Sequence, residues 1–98
     1  MPRVARCSST DAQALHLLAI AAARQNWLEA AVRLFAKALA LAPDDPAVLY
    51  DQGIALASLK RREEAFASYD RAVALRPDYP EAWNNRGIVL AASPGPAA

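Results

Sequence analysis

The sequence contains little of what a catalytic or metal-binding site needs. Its 98 residues include one cysteine, Cys7, one histidine, His16, and three glycines. A lone cysteine excludes an intrachain disulfide and fits a reducing compartment, so we expect a cytoplasmic protein. Cys7 and His16 cannot supply the three or four ligands of a metal site, and the scattered glycines form no phosphate-binding loop. The sequence therefore predicts no enzyme, no metal and no cofactor.

An excess of one charge and a long apolar run are also missing. The formal net charge is +1, which offers no basic surface for nucleic acid or an anionic membrane. No run reaches the roughly 18 apolar residues of a membrane-spanning helix. The apolar stretch 14–23 follows a basic start, as in a signal peptide, but Asp11, Gln13 and His16 argue against that interpretation. We expect neither nucleic acid nor a membrane as a partner.

What the sequence does contain is a repeat. Pro43 and Pro77 are 34 positions apart, and a fixed period of this length is typical of stacked repeat architectures. The same offset joins Ala38 to Ala72, Leu41 to Leu75, Asp44 to Asp78, Pro46 to Pro80, and Gly53 to Gly87. The units are 12–45, 46–79 and a partial unit or capping helix at 80–92. We predict a repeat domain at 11–92, a disordered tail at 1–10 and a second tail at 93–98.

Each full unit has the pattern of two helices. In the second unit, Leu49, Gly53 and Leu56 share one helical stripe, and Ala65, Tyr69 and Ala72 share another. Pro77 ends a helix because the residue before a proline is pushed out of the α region. A proline such as Pro46 or Pro80 suits a first helical turn. Asp44 or Asp45 is the predicted cap before Pro46, and the segment before Pro80 repeats this arrangement.

This arrangement resembles the tetratricopeptide repeat from residue 12 to about residue 92. The small positions of that family match Ala19, Ala31, Ala38, Gly53, Ala65, Ala72 and Gly87, and its bulky positions match Leu15, Leu18, Phe35, Leu49, Leu56, Tyr69, Trp83 and Leu90. The resemblance implies an all-α fold, a right-handed superhelix of antiparallel helix pairs with about five helices. It also implies a non-catalytic protein–protein interaction module. Ala22, Gln52 and Arg86 depart from the pattern, since larger or apolar residues are usual there.

The resemblance implies a concave groove built by the first helix of each pair. In this chain the groove would carry an apolar stripe beside a row of polar side chains: Ile20, Ile54 and Ile88, then His16, Tyr50 and Asn84. We expect an unidentified peptide or partner helix to bind there; simple solvation of the helices is the alternative. Some family members clamp the acidic tails of chaperones with basic and amide side chains. The corresponding residues here do not match that set: His16, Ile20, Asp51, Glu81 and Asn85. The carboxylates of Asp51 and Glu81 should repel such tails.

The last predicted helix has no second helix to pack on. Its apolar residues Trp83 and Leu90 would stay exposed, which indicates self-association as a homodimer or truncation of a longer array. The sequence of residues 69–87 is also similar in style to the repeat arrays of bacterial proteins that resemble O-linked N-acetylglucosamine transferases. Two alternative functions therefore stay open: a substrate-presenting N-terminal fragment of a larger glycosyltransferase-like enzyme, and a structural oligomerisation unit.

Overall fold

The computed structural model describes residues 7–92, with side chains described from 11 to 91. Within this range the chain forms five helices and no strand: α1 (Cys7–Arg24), α2 (Leu28–Leu41), α3 (Pro46–Ser58), α4 (Arg62–Leu75) and α5 (Pro80–Ala92). The predicted all-α fold with about five helices is confirmed. Helix α1 begins inside the segment that we predicted as a disordered tail, and the predicted tail at 93–98 lies outside the described residues.

The helices stack in pairs along the chain. Helix α1 packs on α2 and α3 packs on α4, while α2·α3 and α4·α5 contacts join successive pairs. Connections of three or four residues hold each helix antiparallel to the next. The inner helices α1, α3 and α5 touch one another only slightly, so the face that they share stays open.

The turn inside each pair has the same backbone in both units. Asn26 and Lys60 both have φ of 67°, the left-handed conformation that commonly ends a helix. The next residue closes the turn in each case: the backbone N–H of Trp27 donates to the carbonyl of Ala22 at 2.8 Å, and that of Arg61 donates to Leu56 at 2.9 Å. The 34-residue period of the sequence thus extends to individual backbone hydrogen bonds.

The corners between pairs differ from each other. Before α3, Oδ1 of Asp45 accepts hydrogen bonds from the backbone N–H groups of Ala47 and Val48, at 3.1 and 3.4 Å. Asp45 rather than Asp44 is therefore the cap. Before α5 the matching residue is Tyr79, whose ring centroid lies 5.2 Å from that of Tyr50. The second corner therefore has an aromatic contact at the position where the first corner has the Asp45 side-chain cap.

The core is built from aromatic rings set among small residues. Phe35 and Tyr69 are 1% and 2% exposed, and each is flanked on its own helix by fully buried alanines: Ala31 and Ala38, then Ala65 and Ala72. On α3, a Cβ atom added at Gly53 would lie 2.5 Å from Cε1 of Tyr69. Small residues therefore let the paired helices approach closely while the rings fill the space between them.

The three departures from the family pattern have separate structural consequences. Ser68 donates a hydrogen bond to Oε1 of Gln52 at 3.3 Å. Nε of Arg86 lies 3.1 Å from Oδ1 of Asp70. The small side chain of Ala22 leaves a hollow of about 440 Å³ beside the exposed residues Leu18 and Trp27. Polar pairs replace apolar packing at two of the positions, and open space replaces it at the third.

Candidate functional site: a groove across the inner helices

Two apolar hollows lie side by side on the face formed by α1, α3 and α5. The first encloses about 280 Å³ and is lined by Ile20 and Ile54 among others. The second encloses about 290 Å³ and is lined by Ile54 and Ile88. Ile54 belongs to both and separates them, and it is 39% exposed, while Ile88 is 58% exposed. The three isoleucines of the sequence stripe thus lie along one groove.

Polar side chains join the inner helices beside this stripe. Nε2 of His16 on α1 lies 2.7 Å from Oδ2 of Asp51 on α3. Nδ2 of Asn85 on α5 donates to the hydroxyl of Tyr50 on α3 at 3.3 Å. Both pairs are 35 residues apart, one more than the repeat period. Each residue therefore contacts, on the next inner helix, the residue that comes one position after its own repeat equivalent.

His16 and Tyr50 are held in place on their other sides as well. The His16 ring meets Phe35 edge-on, with centroids 5.9 Å apart. The Tyr50 ring packs 6.0 Å from that of Tyr69 and 5.2 Å from that of Tyr79. Both residues are partly buried. Neither residue lines the two hollows; their partners Asp51 and Asn85 do.

The structure separates Asn84 from these polar pairs. Asn84 is exposed, and its neighbour Asn85 makes the hydrogen bond to Tyr50. Sequence reasoning considered Asp51 and Asn85 only as poor matches to a chaperone clamp and so missed them as groove residues. The repeat itself offered a signal, because Asp51 and Asn85 occupy the same repeat position. At that position the first unit has Leu17, which is 66% exposed.

Two tyrosines close to the groove have raised pKa values. Burial raises the pKa of Tyr69 to about 12, although a side-chain hydrogen bond with Asn85 lowers it. Burial also raises the pKa of Tyr79, with a further increase from the charge of Asp51. Both phenols therefore stay protonated at neutral pH. Among the described residues, no group of three His, Cys, Asp or Glu side chains is placed to hold a metal ion.

The predicted self-association residues lie on α5, apart from the hollows. Trp83 is 46% exposed and Leu90 is 58% exposed. The indole Nε1–H of Trp83 donates to the carbonyl of Pro77 at 2.8 Å, and the Arg86 guanidinium lies 5.4 Å from the Trp83 ring centroid. Trp83 therefore has its polar atom satisfied while about half of its surface faces solvent.

Two family models match the chain and together cover most of it. The model described as "Tetratricopeptide repeat" matches residues 12–45, and that described as "TPR repeat" matches residues 53–93. The chain belongs to the tetratricopeptide repeat family. Domains of this family generally mediate protein–protein interactions and are typically non-catalytic. No curated protein matches the sequence.

Solved tetratricopeptide repeat structures share the fold. The TPR domain of Sgt2 from Aspergillus fumigatus has a TM-score of 0.78 at 25% identity, covering 81% of this chain and 52% of that one. MamA from Desulfovibrio magneticus RS-1, from residue 41 to its end, has a TM-score of 0.78 at 30% identity, covering 83% of this chain and 46% of that one. A MamA double mutant gives the same values. The chain thus spans about half the length of these structures.

None of the helices within residues 7–92 is both long enough and apolar enough to cross a membrane.

Proposed function

We propose that this chain binds a segment of a partner protein in the groove across α1, α3 and α5, with one apolar side chain of the ligand in each hollow. The observation that carries this proposal is the pair of adjoining hollows, of about 280 and 290 Å³, that share Ile54. A concave apolar surface with a few well-placed polar groups is the usual form of a ligand-binding site. A ligand with two spaced apolar side chains fits this surface.

The polar side chains that line the two hollows favour a ligand of low net charge. The first hollow has Arg24 and Asp51 in its lining, one charge of each sign. The second has the uncharged Ser58 and Asn85. A strongly acidic ligand would meet no excess of positive charge here, and Glu81 in the first turn of α5 adds a negative one. Amide and hydroxyl groups could instead bond to the ligand backbone and fix its direction.

Preorganisation of the groove also favours binding. The His16–Asp51 and Tyr50–Asn85 contacts link α1 to α3 and α3 to α5, although these helices touch little elsewhere. Such links hold the two hollows at a set spacing before the ligand arrives. A site that is already ordered loses less conformational entropy on binding, so more of the contact energy appears as affinity.

The test is selection of peptides from a random display library against the full chain, followed by affinity measurement on variants. We expect the selected peptides to share two apolar positions. Ile54→Lys should weaken their binding at least tenfold, because it places a charge between the hollows, while circular dichroism should show the helices intact. Leu41→Lys is the matched control: Leu41 is 44% exposed but lies on α2. Equal binding to wild type and Ile54→Lys, or unfolding of Ile54→Lys, would contradict the proposal.

A further inference from the structure

The two hollows of the groove are built from equivalent positions of successive repeats. Three side chains of the first hollow have equivalents 34 residues later in the second: Ile20 and Ile54, Ala23 and Ala57, Phe35 and Tyr69. Each hollow therefore has an isoleucine and an alanine from an inner helix and an aromatic ring from α2 or α4. Because the linings are alike, the two hollows select similar apolar side chains from the ligand.

The distance between the hollows restricts the conformation of the ligand. The first hollow lies between α1 and α3, and the second lies between α3 and α5. Neighbouring packed helices have axes about 8–10 Å apart, and the inner helices touch only slightly, so the hollows are separated by about 10 Å. A bound segment must therefore present two side chains on one of its faces at that separation.

A polyproline II segment meets this requirement. It advances about 3.1 Å per residue and completes a turn in three residues, so side chains at i and i+3 share a face and lie about 9 Å apart. In a β-strand the same face recurs every two residues, at about 6.6 Å and then at about 13 Å. Neither of these strand spacings matches the hollows.

An α-helix matches the separation only with side chains seven residues apart, at about 10.5 Å. The side chains at i+3 and i+4 of such a helix lie on the same face. They would meet Ile54, which lies between the hollows and is 39% exposed. In polyproline II the two intervening side chains point away from that face, because each residue is rotated by about 120° from the last. The exposed Ile54 side chain therefore favours polyproline II over a helix.

The hollows differ in charge at two pairs of equivalent positions: Arg24 and Ser58, then Asp51 and Asn85. The Asp51 carboxylate already contacts Nε2 of His16 at 2.7 Å. The Arg24 side chain is exposed and forms no ion pair with another described residue. The first hollow therefore has a free positive charge at its edge, whereas the described lining of the second has no charged side chain.

An acidic group beside Arg24 would lie well away from Asp51. The repeat equivalent of Arg24 on α3 is Ser58, which follows Asp51 by seven residues, or about 10 Å along the helix axis. This distance is about one Debye length at physiological salt, so repulsion across solvent is weak. A single carboxylate next to the ligand side chain in the first hollow therefore complements Arg24.

We propose that the groove binds a polyproline II segment with similar apolar side chains at positions i and i+3 and one acidic residue next to the side chain in the first hollow. This inference rests on the proposed function and specifies the conformation and chemistry of the ligand at the same site. Prolines between the two apolar residues would hold the segment in its bound conformation before binding and so reduce the entropy lost.

The test is an amide NMR titration of the isotopically labelled full chain with capped synthetic peptides. The reference peptide has the order Glu-Leu-Pro-Pro-Leu. We expect saturable shifts around Ile54 and a dissociation constant of about 100 µM, because two small side chains bury little area. Peptides with one or three prolines between the leucines, and a helical peptide with leucines seven residues apart, should each bind at least tenfold more weakly.

Paired substitutions locate the acidic residue. Two peptides, with Glu before the first leucine or after the second, test the two chain directions. Arg24→Gln should weaken the tighter-binding one by about two- to fivefold, as expected for an exposed ion pair, and should leave its counterpart with Gln in place of Glu unchanged. Arg33→Gln is the matched control, since Arg33 is an exposed arginine of α2 that does not line the hollows.

The outcomes separate this inference from the proposed function. Ile54→Lys, measured with the uncharged Gln peptide, should weaken binding at least tenfold; unchanged binding would contradict the proposed function and this inference together. Tighter binding of a peptide with another leucine spacing, still lost in Ile54→Lys, would keep the groove as the site but overturn the polyproline II assignment.

Two further results would overturn the inference alone. One is an equal effect of Arg24→Gln on the Glu and Gln peptides, which would remove the acidic residue from the first hollow. The other is the absence of saturable shifts up to millimolar concentrations of every designed peptide, while peptides selected from the display library still bind in the groove.

Discussion

The Cβ atom that Gly53 lacks would lie 2.5 Å from Cε1 and 2.9 Å from Cζ of Tyr69. The Tyr69 ring therefore occupies the space of a side chain that α3 does not have. In the first helix pair the equivalent of Gly53 is Ala19, which is fully buried and belongs to the core cluster of Phe35. At this repeat position the first unit therefore has a buried methyl group, whereas the second has an aromatic ring in the corresponding space.

Gly53→Ala should destabilise the chain, although alanine is the better helix former. The added methyl would push on a ring with little freedom to move, and overpacking of this kind costs about 1–3 kcal/mol. Chemical denaturation followed by circular dichroism measures the change in the free energy of unfolding.

Gly87→Ala is the matched control at the same repeat position. Since the added Cβ meets no described atom within 4 Å, the helix propensity should dominate and raise the free energy of unfolding by about 0.5–1 kcal/mol. If both substitutions change stability in the same direction, contact with Tyr69 is not the reason that position 53 requires a glycine.

Lys60→Asn should stabilise the chain. Lys60 and Asn26 share a φ of 67°, a conformation that asparagine tolerates better than residues with long side chains. We expect a gain of about 0.5–1 kcal/mol in the free energy of unfolding, measured by urea titration. The reciprocal change, Asn26→Lys, should produce a loss of similar size; a gain there would show that side-chain contacts outweigh the backbone preference.

The contacts between inner helices should appear as energetic coupling. Double-mutant cycles of His16→Ala with Asp51→Ala, and of Tyr50→Phe with Asn85→Ala, should each give a coupling energy of about 0.5–2 kcal/mol. A cycle of His16→Ala with Asn85→Ala joins residues from different pairs, and its effects should add within about 0.5 kcal/mol. Equal coupling in all three cycles would mean that the pairs are not the links between inner helices.

Stability should fall in strongly alkaline solution because of Tyr69. Its folded-state pKa is raised to about 12 by burial, against about 10 for an unperturbed phenol. Below pH 10 both states are protonated and the stabilisation is fully present. Between pH 10 and 12 the unfolded phenol ionises first, so the free energy of unfolding decreases, by roughly 2 kcal/mol at pH 12.

Tyr69→Phe isolates this contribution, because phenylalanine keeps the ring and has no ionisable group. Its free energy of unfolding should decline less steeply above pH 10 than that of wild type, with Tyr79 supplying part of the remaining slope. Parallel curves for the two proteins would show that Tyr69 ionises as easily in the folded chain as in the unfolded one.

The sequence by itself determined the repeat, the number of helices and the proline-marked boundaries between successive units. These features depend on local rules: helical periodicity of apolar and small residues, prolines at helix boundaries, and small positions that recur every 34 residues. The isoleucine stripe could be predicted for the same reason, since Ile20, Ile54 and Ile88 occupy one position of the repeat and one face of successive helices.

The tertiary structure alone decided which side chains meet across helices. The link between inner helices runs from His16 to Asp51 and from Tyr50 to Asn85, with an offset of 35 residues instead of 34. Likewise, Gly53 and Gly87 occupy the same repeat position, but one is covered by Tyr69 and a Cβ at the other would meet no described atom within 4 Å. Periodicity along a helix specifies which residues share a face. Contacts between helices depend instead on the relative shift of the helices and on whether a neighbouring helix is present. These two properties are fixed only when the helix pairs pack against one another.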